Sequence, residues 1–369
     1  MNDAFQDLMR EATRLTQEGR LQEATATIQR ALGDAAAANG LTGDALARLF
    51  DIAAPSADVP APADGSRVIE GVCTHDGDTR SYKLHVPAGA TGRSLPLVVM
   101  LHGCTQSVDD FAAGTGMNDL ADELGFFVLY PAQSTAANPQ GCWNWFEPEH
   151  QQRGSGEPAL IAAMTRAVID AHGIDARRVY IAGMSAGGAM ADIVGAAYPD
   201  IFAAVGVHSG LPGGSAGNTS EAFAVMGSGD PETPAQPVSR TSGDTGRPMQ
   251  KAVPIIVFHG DRDRMVHPRN GERVVAAALD RVSAGAPKYR AVSARPPRIE
   301  KGMSAQGRHY TRTTHDDHEG SPVVEHWLVH DSGHAWSGGR AEGSYTDVQG
   351  PDATREMLRF FFAQSRAGD

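Results

Sequence analysis

The sequence predicts an α/β fold built on a mostly parallel, doubly wound sheet and preceded by an N-terminal helical segment. Three observations lead there. Short, nearly continuous apolar runs recur beyond residue 67, among them "PLVVMLHG", "FFVLYP", "VYIAG", "AAVGVHSG" and "PIIVFHG", as expected of strands buried on both faces. Helical patterns lie between several of these runs. The first fifty or so residues instead carry apolar positions at three- and four-residue steps, and a Pro/Ala-rich stretch parts them from the rest.

Taken in order, Phe5, Leu8, Met9, Ala12 and Leu15, then Leu21, Ala24, Ile28, Ala31 and Leu32, describe a helical hairpin within residues 1–53. "EGRLQEATATIQRAL" resembles half of a tetratricopeptide array. A single such repeat cannot bury its own apolar face, so it packs on the domain that follows, on a copy of itself or on a partner. "APSADVPAPADGS", residues 54–66, reads as a linker, which leaves residues 67–369 as the main domain. There "SYKLHVP" alternates like a half-exposed strand. "GEPALIAAMTRAVIDAHG" is the clearest helix, with Leu160, Met164, Ala167, Val168 and Ala171 on one side. Residues 211–250 form the longest stretch without clear periodicity, an active-site rim or a loose segment, although "EAFAVMG" within it suits a turn or two of helix. "VVEHWLVHDSGHAW" supplies a late strand. "PDATREMLRFFFAQ" closes the chain as a helix with Pro351 in its first turn.

Composition narrows the function classes. A formal net charge of −12 argues against nucleic acid as a partner. No window is long and apolar enough to span a membrane. "MNDAFQDLMREATRLTQEG" carries charges every few residues and lacks the apolar segment of a signal peptide, which predicts retention in the cytoplasm. Cys73, Cys104 and Cys142 are too few for a disulfide scaffold and lack metal-type spacing.

"YIAGMSAGGAMAD", residues 180–192, carries the chemistry. A β-branched and aromatic run stops at Gly183, a serine follows at 185, and a helix is expected to begin at Ala186. Such a strand-to-helix turn lifts the serine Oγ clear of the sheet edge. It needs glycine at 183 and 187, because side chains there would collide as the chain doubles back. The first free N–H groups of the helix then face any negative charge developing at Ser185. An alkyl hydroxyl is nearly unreactive at neutral pH, so Ser185 requires a base and the base an orienting acid.

Both follow in the expected order, each just past a strand end. "PIIVFHGDRDRMVHP" delivers Asp261 and Asp263, and "HWLVHDSGHAWSGG" delivers His334. Asp263 is preferred because it lies farther along the loop and turns back beneath the histidine, while Asp261 caps the turn. Among the histidines, His326 and His330 sit in a strand-like run and read as structural. His315 and His318 belong to a polar hairpin turn, "THDDHEG", with no third metal ligand identifiable. His259 ends a strand and His102 lies in another loop. His334, beside Gly333, has the freedom to approach Ser185. This chemistry requires no metal and no organic cofactor.

Six separated motifs resemble the esterase family that contains the catalytic domains of short-chain polyhydroxyalkanoate (PHB) depolymerases, with feruloyl and acetylxylan esterases as relatives. They are "LHGCTQS" at 101–107, "CWNWF" at 142–146, "RGSGEPALIAAMT" at 153–165, "RVYIAGMSAGGAM" at 178–190, "HGDRD" at 259–263 and "SGHAWSGG" at 332–339. The resemblance covers roughly residues 67–365. It implies an α/β-hydrolase fold with Ser185 as nucleophile, Asp263 as acid and His334 as base. It further implies an oxyanion hole from the backbone N–H groups of Cys104 and Ala186, and a Cys104–Cys142 disulfide that leaves Cys73 unpaired. "CWNWF" is then expected to wall the substrate pocket, with Trp143, Trp145 and Phe146 supplying apolar area and Asn144 a directional polar group. His208 and Ser209 end another strand near the same sheet edge and are candidates to line the cleft.

The expected function is a serine carboxylic-ester hydrolase acting on hydroxybutyrate-type polyesters or oligomers through a Ser-His-Asp triad and an acyl-enzyme. Two departures from the family matter. The chain stops at its terminal helix without a polymer-adsorbing domain, which shifts the expectation from solid polymer towards oligomers, amorphous material or small esters. The N-terminal helices lie outside the common catalytic core. Extracellular location, implied by the resemblance, conflicts with the missing signal peptide. Feruloyl, acetylxylan or general short-chain esterase activity is the alternative within the class. A non-catalytic binding module using the N-terminal helices is the alternative outside it.

Overall fold

A computed structural model describes residues 65–230, 252–285, 293 and 295–366. The expected helical hairpin and residues 54–64 of the expected linker lie outside the described residues. Strands β1 (Arg67–His75) and β2 (Asp78–Val86) are followed by β3 (Leu97–Leu101), β4 (Phe127–Pro131), β5 (Val179–Met184), β6 (Ala204–His208) and β7 (Ile255–Gly260). Then come β8 (Arg298–Met303), β9 (His309–Asp316) and β10 (Pro322–Val329). They join in one ten-stranded sheet of order β1-β2-β4-β3-β5-β6-β7-β10-β9-β8. From β4 to β10 in that order the strands run parallel, and antiparallel strands extend both edges.

Seven α-helices are described: α1 (Val108–Thr115), α2 (Met117–Leu124), α3 (Gly156–His172), α4 (Ala186–Ala197), α5 (Thr219–Ser228), α6 (Arg269–Gly285) and α7 (Ala353–Phe362). Alternate strand residues point to opposite faces, and each face has its own apolar cluster. Val99, Leu101, Ile181, Val207 and Val257 pack with Met164 of α3, Ile193 of α4 and Val274 of α6. On the other side, Val98, Met100, Tyr180 and Phe258 pack with Phe111 of α1, Leu120 of α2 and Phe361 of α7. Two covered faces explain why these strands read as unbroken apolar runs rather than as alternation.

Topology selects the place for chemistry. The chain passes from β3 outward to β4, then returns to add β5 on the other flank of β3. The loops leaving the carboxyl ends of β3 and β5 therefore part in opposite directions and open a crevice between them.

Several local expectations are corrected. Pro351 lies outside the last helix, because Asp352 is the N-cap and its carboxylate accepts the Arg355 N–H at 2.9 Å. His315 sits within β9, opposite Val324 of β10, and not in the turn, since strand pairing continues to Asp316. The helical reading of "EAFAVMG" agrees with the structure: it lies in α5, which Asn218 caps by accepting from the Glu221 N–H.

Candidate active site

Ser185 joins β5 to α4 with φ 57° and ψ −122°, a region a side chain adopts at a cost of about 1–3 kcal/mol. Its own N–H donates to the His208 carbonyl at 2.9 Å, which fixes the turn against β6. A Cβ at Gly183 would collide with the carbonyls of Gly187 and Leu101, and one at Gly187 with those of Leu101 and His102. The two glycines thus let α4 press directly onto the end of β3. Ser185 is partly exposed and its side chain does not cap the helix.

The acid and the imidazole meet at the end of β7. Asp263 has a fully buried carboxylate. Its Oδ1 accepts the N–H groups of Met265 and Val266 at 2.9 and 2.8 Å, and its Oδ2 receives His334 Nδ1 at 2.7 Å. His259, four residues earlier, lies with Nε2 3.4 Å from the same Oδ2 and donates to the Val266 carbonyl at 2.9 Å. Burial alone would raise the pKa of Asp263, but hydrogen bonds from His259 and His334 outweigh it and hold the carboxyl well below the usual range. An acceptor-only carboxylate at Nδ1 leaves Nε2 of His334 as the basic nitrogen. Sequence reasoning passed over His259; its place at a strand end, four residues before the acid in "HGDRD", was the available signal.

Asp261 serves a different histidine. Its Oδ2 pairs with His330 Nδ1 at 2.9 Å and its Oδ1 accepts the Asp331 N–H, while His330 Nε2 meets Thr311 Oγ1 at 2.9 Å. The two aspartates of one loop therefore hold two histidines of another.

Opposite the serine lies the loop after β3. A Cβ on Gly103 would sit 3.5 Å from that of Ser185, so the loop passes directly beside the hydroxyl. Four ties hold it. Cys104 is disulfide-bonded to Cys142, the Thr105 N–H donates to the Gln140 carbonyl at 2.8 Å, and Gln106 Oε1 accepts the Gly103 N–H at 2.9 Å. Buried His102 accepts the Gln133 N–H at Nε2, so its Nδ1 carries the proton and donates to the Gly103 carbonyl at 2.8 Å. Among the described residues the backbone N–H groups of Cys104 and Ala186 have no hydrogen-bond partner.

The expected pocket wall is corrected. Trp143 and Trp145 are buried in the core, at 0% and 3% exposure, and Asn144 is only 8% exposed. The Asn144 amide side chain and backbone N–H both donate to the buried Glu157 carboxylate at 2.8 and 2.7 Å. The segment is tied to the loop after β3 through Cys142, and its apolar area is spent on core packing; of Trp143, Asn144, Trp145 and Phe146 only Phe146 remains partly exposed. His208 is likewise no lining residue. It is 1% exposed, stacked between Phe258 and Trp336, with Nε2 accepting the Ser337 N–H at 2.9 Å and Nδ1 donating to Ser209 Oγ. Burial, with His259 and His334 nearby, keeps it neutral. Its carbonyl holds Ser185 and its ring holds the chain just after His334, so it positions two loops at once.

A further neighbour had no signal in the sequence. Tyr345 sets its ring against His334 at 6.2 Å between centroids and 79° between planes. It lies in a segment with neither apolar periodicity nor a motif.

Residues 80–288 match the family model described as Esterase PHB depolymerase, a stretch longer than half of the 369-residue chain. Poly(3-hydroxyalkanoate) depolymerase C of Paucimonas lemoignei is 37% identical over 202 residues, which cover 55% of this chain and 48% of that protein. Feruloyl esterase B of Thermothelomyces thermophilus is 31% identical over 189 residues, 49% of this chain and 63% of that one. The chain thus spans less than two thirds of the length of these curated relatives. The solved structure of an acetyl xylan esterase from Aspergillus awamori superposes with a TM-score of 0.61 at 19% identity, covering 80% of this chain and 99% of that chain, in keeping with an α/β-hydrolase fold.

Proposed function

Because the chain belongs to the esterase PHB depolymerase family, we propose that it is a serine carboxylic-ester hydrolase acting on hydroxyalkanoate esters. The observation that carries this reading is the 2.7 Å bond between His334 and buried Asp263, on loops of the sheet whose strand β5 presents Ser185 in a strained turn.

Ser185 Oγ attacks the ester carbonyl carbon as His334 Nε2 removes its proton. The carbonyl electron pair moves onto oxygen, where the amides of Cys104 and Ala186 stabilise it; each such donor contributes about 3 kcal/mol in related sites. Collapse breaks the C–O bond to the alcohol, and His334 returns the proton to the leaving oxygen. Water, deprotonated by His334, then attacks the acyl-enzyme and releases the acid with Ser185 restored. Asp263 holds the imidazole in the required tautomer and stabilises its cation throughout.

Hydroxyalkanoate esters are the favoured substrates because the relative at 37% identity is named a poly(3-hydroxyalkanoate) depolymerase. The relative named a feruloyl esterase, at 31%, sustains an aryl-ester reading beside it. Turnover of 3-hydroxybutyrate oligomers, methyl ferulate and p-nitrophenyl butyrate by the purified protein separates the two. Higher kcat/KM on the oligomers is expected, and preference for the ferulate refutes the substrate assignment. The disulfide beside the oxyanion loop favours an oxidising compartment.

A further inference from the structure

We infer that Tyr345 recognises the leaving half of the substrate, its phenol donating to the carbonyl of the ester unit on the alcohol side of the scissile bond. The inference rests on the hydrolase reading above and adds to it a residue that selects polyesters over simple esters.

The placement is unusual for an aromatic side chain. Tyr345 has φ 53° and is 39% exposed, and a bulky residue in the left-handed region is a genuine outlier. The surrounding chain over-determines it. Its carbonyl accepts the Trp336 N–H at 2.6 Å, two residues beyond His334. On its other side, the Ser344 N–H and hydroxyl donate to the two oxygens of Asp110 at 2.8 and 2.6 Å, and Gln106 of the oxyanion loop donates to Ser344. Gly343 packs so closely on Gly114 of α1 that a Cβ there would collide with it. A rigid backbone therefore holds an exposed ring at one defined place.

That place lies between the two halves of the machinery. The ring stands edge-to-face with His334, and the phenol oxygen is 3.4 Å from Thr105 Oγ1, next to Cys104. Thr105 has committed its proton to the Cys104 carbonyl at 2.6 Å, so the phenol must be the donor in that contact. At 3.4 Å it exceeds the usual range for O–H···O bonds. The phenol proton is thus poorly used within the protein and available to a better acceptor.

Chemistry fixes which half of the substrate arrives there. The base that takes the serine proton must return it to the leaving oxygen, so the alcohol portion lies against His334. In a hydroxyalkanoate oligomer that alcohol is itself an acyl unit, with a carbonyl a few bonds from the leaving oxygen. A methyl ester with the same acyl group has no such acceptor. The ring supplies apolar area for the intervening carbons, and the hydroxyl supplies direction.

The test uses 3-hydroxybutyrate trimer and methyl 3-hydroxybutyrate, which share an acyl group and differ in the leaving group. Tyr345→Phe keeps the ring and removes the donor. It is expected to lower kcat/KM on the trimer about tenfold more than on the methyl ester, mainly through KM, as suits one lost hydrogen bond to an uncharged acceptor. Val348→Ala, an exposed residue three positions on, serves as a control and should leave the ratio as in the wild type. Equal losses on both substrates in Tyr345→Phe would mean that the phenol acts on His334 or the fold, and would overturn the inference. An unchanged ratio would overturn it as well. Wild-type protein that turns over the methyl ester but not the trimer would refute the leaving-unit assignment. Wild-type protein inert to both esters and to a fluorophosphonate would instead sink the hydrolase reading beneath it.

Discussion

Two Asp–His pairs stand side by side at the end of β7 and β10, drawn from the same two loops. In one, Asp263 is sealed from solvent, its Oδ1 is occupied by two backbone amides, and its Oδ2 takes His334 at 2.7 Å with His259 at 3.4 Å. In the other, Asp261 and His330 are each about a third exposed, and the far nitrogen of His330 is already tied to Thr311. Both pairs orient an imidazole through Nδ1. They differ at Nε2, which in His330 is capped by a hydroxyl on an ordinary strand. In His334 it has no hydrogen-bond partner among the described residues, Ser185 Oγ included. A histidine held by an aspartate is therefore a common structural clasp. Under the proposed mechanism it becomes a base when its other nitrogen is left without a protein partner.

The largest effect should come from breaking the two pairs in parallel. Asp263→Asn presents a donor to Nδ1, forces the wrong tautomer and should lower kcat by about ten-thousand-fold, as in other triads. Asp261→Asn should stay within about threefold of wild type, because the pair is partly exposed and screened. Steady-state kinetics on p-nitrophenyl butyrate reads both; comparable losses would mean that the distinction drawn here is wrong.

A smaller effect is expected at the oxyanion loop. Reduction of Cys104–Cys142, or Cys142→Ser, should lower kcat by about tenfold with little change in KM, less than the hundredfold or more of an outright lost donor. Activity unaffected by complete reduction would show that the hydrogen bonds of Thr105, Gly103 and His102 suffice. Gly187→Ala probes the turn itself. With carbonyls of β3 and its loop in the way, it should destabilise the fold by about 1–3 kcal/mol, read by urea denaturation. Wild-type stability would contradict the close approach.

Acid should weaken the fold through histidines buried neutral. Burial pushes His326 down to about 4, with His259 and His315 adding to the effect, and its buried Nε2 has no partner among the described residues. Between pH 6.5 and 4 the unfolded chain binds the proton that folded His326 refuses, so stability falls as pH drops through that window. Asp263 acts lower, since its folded pKa is depressed: its contribution is complete above the ordinary carboxylate value and lost as pH falls below it. His326→Leu should flatten the dependence between pH 6.5 and 4, measured by thermal melts. A slope equal to the wild type would remove His326 from the account.

How much of this was legible in the sequence depends on whether the physics is local. The serine turn was, because the close approach at residues 183 and 187 forces glycine and leaves a mark on consecutive positions. The pairing of Asp263 with His334 was, because buried strands announce themselves as apolar runs and the loops follow at once. Trp143 and Trp145 misled, since an aromatic side chain suits a pocket wall and a core equally. His208 misled similarly: it ends a strand at the correct edge, and only the stacking of Phe258 and Trp336 seals it. Strands β8 and β9 escaped notice because an exposed edge such as "RIEKGM" has no buried face to impose a pattern. Tyr345 escaped because part of what fixes it, Asp110 and Gln106 on the neighbouring Ser344 and Thr105 on the phenol, lies over two hundred positions away.

The central claim is that one hydroxyl, at position 185, is the activated nucleophile. Reaction of the native protein with a fluorophosphonate, followed by peptide mapping, tests it most directly. One adduct on Ser185, absent in Ser185→Ala and strongly slowed in Asp263→Asn, is the predicted result. Adduct formation that persists in Ser185→Ala at the wild-type rate, or that maps to another residue such as Thr311, would contradict the account.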